Sequence, residues 1–231
     1  MNSRINYENR KALGITDFEF LSLFKKPNEK VYFRLIQEEK HIAKNFDCIF
    51  TLDDDLEYPL IQKIFIKYQK QGYGVYFVVN SGGQEKNSIK RINAHFIDMD
   101  FGKVPKIDNG ELIKDSEGKI VYDYRNKEEI EEYKIAFLKK LENFKLIPNV
   151  IVETKNGFHV YWLLGLEKPQ SLDAFTPLQE KLIDYFAAFE ERKEHADSSV
   201  KDINRVLRLI NYKHLKDPKD PFTIKCIYLN T

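Results

Sequence analysis

The segment Phe96-Ile97-Asp98-Met99-Asp100-Phe101-Gly102 combines the alternation of a β-strand with two acidic side chains at the strand's exit. Because side chains in a strand alternate between its faces, Asp98 and Asp100 are predicted to share one face, about 7 Å apart along the chain. Two such carboxylates suit hard divalent cations such as Mg²⁺ or Mn²⁺. An ordinary turn, with Asp-x-Asp placed before glycine, is the alternative structure for this segment alone.

A second segment, Val152 to Trp162, contains two strand-like runs that flank Lys155-Asn156-Gly157, and it therefore predicts a β-hairpin. The backbone N–H groups of Asn156 and Gly157 could turn toward a phosphate, and Lys155 would add positive charge. His159 lies just inside the returning strand. A plain hairpin with a surface histidine is the alternative.

A third segment is locally basic. From Arg192 to Lys219 there are eight Lys or Arg residues against four Asp or Glu residues. Arg205 and Arg208 are predicted to face the same way on a helical turn, where both could grip phosphates. Asp197 supplies a third carboxylate close to these arginines. A solvated, charged helix is the alternative.

Around these segments, apolar runs alternate with amphipathic stretches, which predicts a mixed α/β fold. The predicted strands are Val31 to Ile36, Cys48 to Leu52, Val75 to Val79, Ala94 to Met99, Val150 to Glu153, Phe158 to Leu164 and Thr223 to Leu229. The predicted helices are Asp17 to Phe24, Leu56 to Gln71, Lys127 to Phe144 and Ser171 to Phe189. The polar stretch from Gly102 to Arg125 is predicted to form a solvent-facing hairpin.

The composition excludes several classes of protein. With 231 residues, 42% of them hydrophobic, the chain can bury a substantial core. Its formal charge of +1 does not by itself point to a polyanionic partner, so any such partner would have to be bound by a local patch. Cys48 and Cys226 lie far apart, which argues against a disulfide framework or a zinc site and favours the reducing cytosol. No apolar run approaches 18 residues and the first residues are polar, so neither membrane insertion nor secretion is expected. We therefore expect a cytoplasmic protein with no membrane partner.

Together and in this order, the three segments resemble the signature motifs of the archaeo-eukaryotic primase superfamily, in its primase-polymerase branch. Asp98-x-Asp100 resembles the first motif. Lys155 to His159 resembles the second, in which a small residue lies two positions before histidine, and here that residue is Gly157 instead of the common serine. Asp197 and the arginine-rich extension that follows it resemble the third motif and its continuation.

The resemblance covers most of the chain, from about Val31 to Lys213, and includes the run from Gly74 to Gly83 that leads into the first motif. It implies a mixed α/β (α+β) catalytic core, in which a sheet like that of an RNA-recognition motif packs against an N-terminal α/β subdomain. The whole chain, 1–231, would then be a single primase-polymerase catalytic domain, with subdomains of 1–73 and 74–231.

The resemblance also implies an activity, template-directed nucleotidyl transfer. A DNA primase and DNA polymerase of this kind makes primers and extends them from dNTPs or NTPs by a two-metal mechanism. The two Mg²⁺ or Mn²⁺ ions would be held by Asp98, Asp100 and Asp197. The nucleotide would be bound by Asn80, Lys155, Asn156, Gly157, His159, Arg205 and Arg208.

The implied partner is a single-stranded DNA template, which would run past Lys201, Lys213 and Lys216. Related proteins serve plasmids, phages, repair and CRISPR-associated systems. Helicase domains, or other replication or CRISPR domains, could therefore accompany this domain in a longer chain.

Two other functions stay open on the sequence alone. A metal-dependent nuclease could combine Asp98 or Asp100 with Glu153-x-Lys155, in which case Glu153 and not Asp197 would join the first two carboxylates. A non-catalytic primase-like module that binds nucleotides or single strands would have the same fold. Retention of all three carboxylates disfavours that module.

Overall fold

The computed structural model describes residues 10–38, 43–44, 49–51, 58–165, 171–187 and 196–230. In these parts the α-helices are α1 (Asp17–Ser22), α2 (Tyr58–Gln69), α3 (Lys127–Glu142) and α4 (Phe175–Ala187). The strands are β1 (Lys30–Gln37), β2 (Ala43–Lys44), β3 (Ile49–Thr51), β4 (Tyr73–Val78), β5 (Ala94–Asp100), β6 (Lys103–Pro105), β7 (Ile107–Asp108), β8 (Glu111–Leu112), β9 (Tyr122–Tyr124), β10 (Val150–Glu153), β11 (Gly157–Leu163), β12 (Val206–Arg208), β13 (Lys213–His214), β14 (Phe222–Thr223) and β15 (Lys225–Leu229).

The first sheet has five strands, in the order β12-β4-β1-β2, with β3 also paired to β1. Strand β1 alternates between buried and more exposed residues, so that Val31, Phe33 and Leu35 face the core. Helix α2 packs on this sheet through Phe65, whose ring centre lies 4.8 Å from that of Phe33. Because β12 comes from late in the chain, this sheet joins the N-terminal segment to the third motif.

The second sheet has four antiparallel strands, in the order β15-β10-β11-β5. Helices α3 and α4 cover one of its faces. Phe158 of β11 stacks on Phe137 of α3 with ring centres 5.8 Å apart, and Trp162 packs on Phe186 of α4 at the same separation.

The opposite face of the second sheet meets the first sheet through a shared aromatic core. The ring centre of Phe24, just after α1, is 5.0 Å from that of Tyr161 on β11 and 5.4 Å from that of Phe77 on β4. Since strand residues two apart share a face, His159 lies on the same side of β11 as Tyr161. The second motif therefore faces the junction between the two sheets.

The segment that holds Arg205 and Arg208 is extended, so the helical turn predicted for these two residues is wrong. Strand β12 pairs antiparallel with β4, with Leu207 opposite Phe77 and Arg208 opposite Tyr76. Leu207 is buried, and the backbone next to β12 also bonds to β4, for example from the N–H of Val79 to the Arg205 carbonyl. Sheet hydrogen bonds and core burial together outweigh the local helical pattern.

The other predicted elements agree with the structure to within a few residues. The strand predicted from Thr223 to Leu229 is divided between β14 and β15. The helix predicted from Ser171 starts as a 3₁₀ turn and becomes α4 at Phe175, with Pro177 in its first turn, where no helical hydrogen bond is lost. Several predicted boundaries lie outside the described residues, namely Cys48, Leu52, Leu56, Phe189 and Arg192. Within the part of the chain that is described, no helix is both long and apolar enough to cross a bilayer.

The polar stretch after β5 forms the predicted hairpin, built from the ladders β6-β9 and β7-β8. We call residues 103–124 the hairpin insert. Asn109 and Gly110 at its tip have φ angles of 48° and 84°, as a tight two-residue turn requires. At its base, the Arg125 N–H donates to the Gly102 carbonyl over 3.1 Å, which closes the neck of the insert.

Candidate active site

A cavity of about 630 Å³ opens where the two sheets meet. The second sheet contributes residues from β5 and β11, the first sheet contributes β12, and the hairpin insert and α4 add further walls. The lining residues are Asp98, Asp100, Lys103, Pro105, Ile120, Tyr122, Thr154, Asn156, His159, Ile183, Asp184, Ala187, Ala196, Asp197, Arg208 and His214. The residues predicted for the site that line this cavity are Asp98, Asp100, Asn156, His159, Asp197 and Arg208.

The pairing of β5 with β11 places the first and second motifs side by side. His159 lies directly opposite Asp98, and Gly157 lies opposite Asp100. The distance from His159 Nε2 to Asp98 Oδ1 is 3.6 Å, which is too long for a good hydrogen bond. Any side chain at position 157 would collide with the backbone carbonyl of Met99, so the close approach of the two strands requires glycine there.

Asp197 joins these residues from much later in the chain. Its backbone N–H donates to the carbonyl of Asp98 over 2.9 Å, and its neighbour Ala196 pairs with Met99 along β5. Its carboxylate Oδ2 accepts a hydrogen bond from Arg205 Nη2 over 2.9 Å. Backbone hydrogen bonds thus fix the third motif beside the first.

Negative charge is concentrated around Asp98. Burial, together with the nearby carboxylates of Asp197 and Asp100, raises the pKa of Asp98 to about 7, although Arg205 and Arg208 act in the opposite direction. The charge on Asp98 is therefore incompletely compensated by the protein itself.

Two imidazoles of the cavity are neutral at pH 7. Burial, reinforced by Arg208 and Arg205, lowers the pKa of His159 to about 3, and burial together with Arg208 lowers that of His214 to about 4. His159 Nδ1 and both ring nitrogens of His214 are buried and have no hydrogen-bond partner among the described residues. Because buried polar atoms are normally bonded, these three nitrogens are left unsatisfied by the described part of the protein itself.

The carboxylates do not form a preassembled metal site. Within the described ranges, no three His, Cys, Asp or Glu side chains stand close enough to hold a metal ion together. Two of the carboxylates have protein partners, since Asp197 is bonded to Arg205 and Asp100 Oδ1 accepts the Gly102 N–H over 2.8 Å. The donor chemistry suits a hard divalent cation, and cation binding would compete with these partners.

Arg208 is held in place by residues behind the cavity. Its guanidinium donates to the carboxylate of Glu38, just beyond β1, and lies over the ring of Tyr76 at 4.8 Å from the ring centre. Glu38 is buried and also accepts from the Tyr76 hydroxyl over 2.8 Å and from the Leu215 N–H. These contacts restrict the guanidinium before any ligand arrives.

Two residues predicted to bind the nucleotide point elsewhere. Asn80 is fully buried, and its amide donates to the Ile203 carbonyl and accepts from the Asn93 N–H, each over 2.8 Å. Lys155 donates to the Asp220 carbonyl over 2.8 Å and does not line the cavity.

The three lysines predicted along the template path are spread over the surface. Lys201 pairs with Glu180 of α4 over 3.2 Å, and the backbone of Lys213 is bonded to Gln69 of α2. Lys216 is near the cavity: burial and Lys103 lower its pKa, whereas Asp100 raises it.

Glu153, the residue required by the nuclease alternative, is buried outside the cavity. Its carboxylate lies within 3.0 Å of the ammonium groups of Lys134 and Lys225 and 3.1 Å from Arg10 Nε. Asp197, not Glu153, accompanies Asp98 and Asp100. The geometry therefore does not support Glu153-x-Lys155 as a nuclease motif.

Some of the cavity's residues were not predicted from the sequence. His214 carries a weak signal, since it lies between Lys213 and Lys216 in the basic segment. Glu38, which lies behind the cavity and bonds to Arg208, carries no such signal, because it follows a predicted strand where a charged residue is expected in solvent. Others that were missed are Lys103, Pro105, Tyr122 and Thr154.

No protein-family model and no curated protein matches the chain. Among solved structures, it is similar to the AEP domain of the primase-polymerase of cyanophage S-2L, with 21% identity, 92% of this chain and 88% of that chain covered, and a TM-score of 0.51. It is also similar to the catalytic domain of primase RepB′ in complex with initiator DNA, with 12% identity, 92% and 85% covered, and a TM-score of 0.51. A further structure of primase RepB′ gives 11% identity, 93% and 57% covered, and a TM-score of 0.50.

At these identities the likeness concerns the fold. It agrees with the predicted α/β (α+β) class and with the family resemblance of the three motifs. The chain has the fold of the archaeo-eukaryotic primase domains found in primase-polymerases.

Proposed function

We propose that the chain is a template-directed nucleotidyltransferase, a DNA primase and polymerase that joins dNTPs or NTPs along a single-stranded DNA template. The observation that carries this proposal is the arrangement of Asp98, Asp100, Asp197, His159 and Arg208 around one cavity. These residues come from three motifs that are distant in sequence. The surrounding fold, shared with primase-polymerase domains, supports the same function.

Two Mg²⁺ or Mn²⁺ ions would be held by Asp98, Asp100 and Asp197. The fit rests on the charge of the site, because burial and the two neighbouring carboxylates raise the pKa of Asp98 to about 7, and a divalent cation would relieve this repulsion. Carboxylate oxygens are the ligands that hard cations prefer. When bound, such ions stabilise the negative charge on the attacking and leaving oxygens of nucleotidyl transfer.

Arg205 and Arg208 would bind the triphosphate. Guanidinium groups remain charged at all physiological pH values and pair with phosphate oxygens in a bidentate manner. Arg208 is already oriented by Glu38 and Tyr76. Arg205 is bonded to Asp197, so it would exchange a carboxylate for a phosphate when the site fills.

His159 would bind the nucleotide as a neutral hydrogen-bonding group, because a pKa of about 3 leaves it uncharged at pH 7. So low a pKa also makes it a poor general base. His214, whose ring nitrogens are buried and unbonded, and Asn156 would provide further contacts within the cavity.

A single-stranded DNA template is the proposed partner. One of the similar structures is a primase catalytic domain in complex with initiator DNA, which supports this assignment. In this chain the candidate template lysines are dispersed, and Lys216 lies close enough to the cavity for Asp100 and Arg208 to influence its pKa. Template affinity is therefore expected to be modest and sensitive to salt.

The proposal is tested by incubating the protein with a single-stranded DNA template, Mg²⁺ or Mn²⁺, and labelled dNTPs or NTPs, with and without a primer. Template-dependent products that require the divalent ion would support it. Shortened template would indicate a nuclease, and binding of template and nucleotide without any product would indicate a non-catalytic module. Either of these two results would overturn the proposal.

A further inference from the structure

The cavity is lined by an aromatic side chain, Tyr122, that the proposed chemistry does not use. The hairpin insert lines the cavity with Tyr122, Lys103, Pro105 and Ile120. Among the described residues that line it, Tyr122 carries the one benzene ring. Its side chain is not sealed into the core, since Tyr122 is 40% exposed.

The insert itself supports the Tyr122 ring. Tyr122 lies opposite Pro105 in the β6-β9 ladder, and Pro105 is buried. The ammonium group of Lys103 lies over the ring, 5.6 Å from its centre, in a cation–π contact. The exposed part of Tyr122 is the area that another flat group could cover.

Other residues that line the cavity limit what kind of ligand that flat group can belong to. Arg208 offers a permanent cation for phosphate, and His159 and His214 offer neutral imidazoles with unbonded nitrogens. A ligand that satisfies both Tyr122 and these polar groups combines an anionic phosphate chain with a flat aromatic ring. The volume of about 630 Å³ is within the usual range of small-molecule pockets, roughly 300–1,000 Å³.

We infer that Tyr122 is the stacking platform for the base of the nucleotide that this cavity binds. The inference rests on the proposed function and adds to it a subsite for the base. Every nucleobase has a π face, so stacking on Tyr122 contributes affinity without fixing the identity of the base. Selection among bases is then left to pairing with the template.

The experiment compares two anions that share a phosphate chain and differ in the base. Calorimetric titration of the full chain with dATP and with inorganic tripolyphosphate, both with Mg²⁺, measures the contribution of the nucleoside to affinity. In the Tyr122→Ala variant we expect dATP to bind on the order of tenfold more weakly, with tripolyphosphate affinity unchanged. Tyr122→Phe keeps the ring and is expected to bind dATP as the wild type does, whereas Tyr122→Leu is expected to resemble Tyr122→Ala.

Tyr124→Ala is the matched control, because Tyr124 belongs to the same strand, is 73% exposed and does not line this cavity. It is expected to retain wild-type affinity for dATP. Equal dATP affinity in wild type and Tyr122→Ala, with unchanged thermal unfolding, would overturn the inference and leave the proposed function intact. If the wild type bound neither dATP nor tripolyphosphate, both the inference and the proposed function would be overturned.

Discussion

Arg205 Nη2 donates to Asp197 Oδ2 over 2.9 Å, so a proposed phosphate-binding cation and a proposed metal-binding carboxylate neutralise each other. The two side chains are 29% and 37% exposed, and a salt bridge so accessible to water adds little stability. The salt bridge is instead expected to couple the binding of a cation at Asp197 to the binding of phosphate at Arg205. When Asp197 turns to a cation, Arg205 becomes available for phosphate, so nucleotide and cation are expected to strengthen each other's binding.

Replacement of Arg205 by alanine is expected to change triphosphate affinity and cation affinity in different directions. Triphosphate affinity should fall by at least about tenfold, because a hydrogen bond to a charged group contributes roughly 1.5–3 kcal/mol. Affinity for Mn²⁺ without nucleotide should be retained or rise, since Asp197 loses a competing partner. Successive calorimetric titrations with Mn²⁺ and dATP measure both quantities, and weaker Mn²⁺ binding in the variant would argue against the coupling.

The isosteric changes Asp98→Asn and Asp100→Asn are expected to abolish nucleotide incorporation while the fold is kept. For Asp98→Asn the unfolding temperature should stay the same or rise, because the amide removes a poorly compensated buried charge. Primer extension and thermal unfolding are the measurements, with Asp108→Asn at the exposed tip of the insert as control. Chelation of divalent ions should reproduce the loss in the wild type. Full activity in either site variant would rule out the metal assignment.

Glu38→Gln tests whether Glu38 positions Arg208. The change keeps the shape of the side chain but removes the charge that binds the guanidinium, so KM for the nucleotide should rise several-fold with a smaller change in kcat. Tyr76→Phe removes one hydrogen bond to Glu38 and should have a milder effect of the same kind. Glu29→Gln, at a carboxylate paired with Arg91, is the control. An unchanged KM in a folded Glu38→Gln protein would refute the positioning role.

Glu153→Ala is expected to destabilise the protein without affecting its metal affinity. The change leaves the buried ammonium of Lys134 without its carboxylate, at a cost of about 3–5 kcal/mol in the free energy of unfolding. Urea denaturation measures this loss, and Mn²⁺ titration should give the wild-type value. Loss of Mn²⁺ binding in a folded variant would restore the nuclease alternative.

The lowered pKa of Glu153 predicts that the stability of the protein depends on pH. Burial alone would raise the pKa of Glu153, but Lys134 and Arg10 outweigh it and hold the pKa below its ordinary value of 4.5. A carboxylate whose pKa is lower in the folded state stabilises the fold above its unfolded pKa and loses this contribution as the pH falls through the folded value. Wild type should therefore lose stability below about pH 4.5 more steeply than Glu153→Gln, as urea denaturation across that range would show.

The parts of the fold that depend on local alternation could be predicted from the sequence. The period-two pattern of β5 and the turn signal at Lys155-Asn156-Gly157 give β5, β10 and β11 nearly to the residue. The order of the motifs indicates the fold, which the solved structures share.

The features that depend on distant partners could not be predicted. Arg205 and Arg208 suit a helical turn when read alone, and only the edge of β4 makes their segment a strand. The role of Glu38 depends on a contact with Arg208, which lies 170 positions further along the chain. Likewise, nothing local indicates that Lys155 turns to Asp220 instead of the cavity.

The hairpin insert joins the rest of the fold at a neck that follows directly after β5, the strand that carries Asp98 and Asp100. At this neck, the backbone N–H and guanidinium of Arg125 are bonded to the carbonyls of Gly102 and Phe101. Insertions or deletions at the tip of the insert are therefore expected to leave the sheet that carries Asp98 and Asp100 undisturbed, whereas exchange of the whole insert would also replace part of the cavity lining. Changes confined to this one surface loop could therefore alter nucleotide binding in such a domain during evolution. A protein engineer could likewise graft the loop as a separate module.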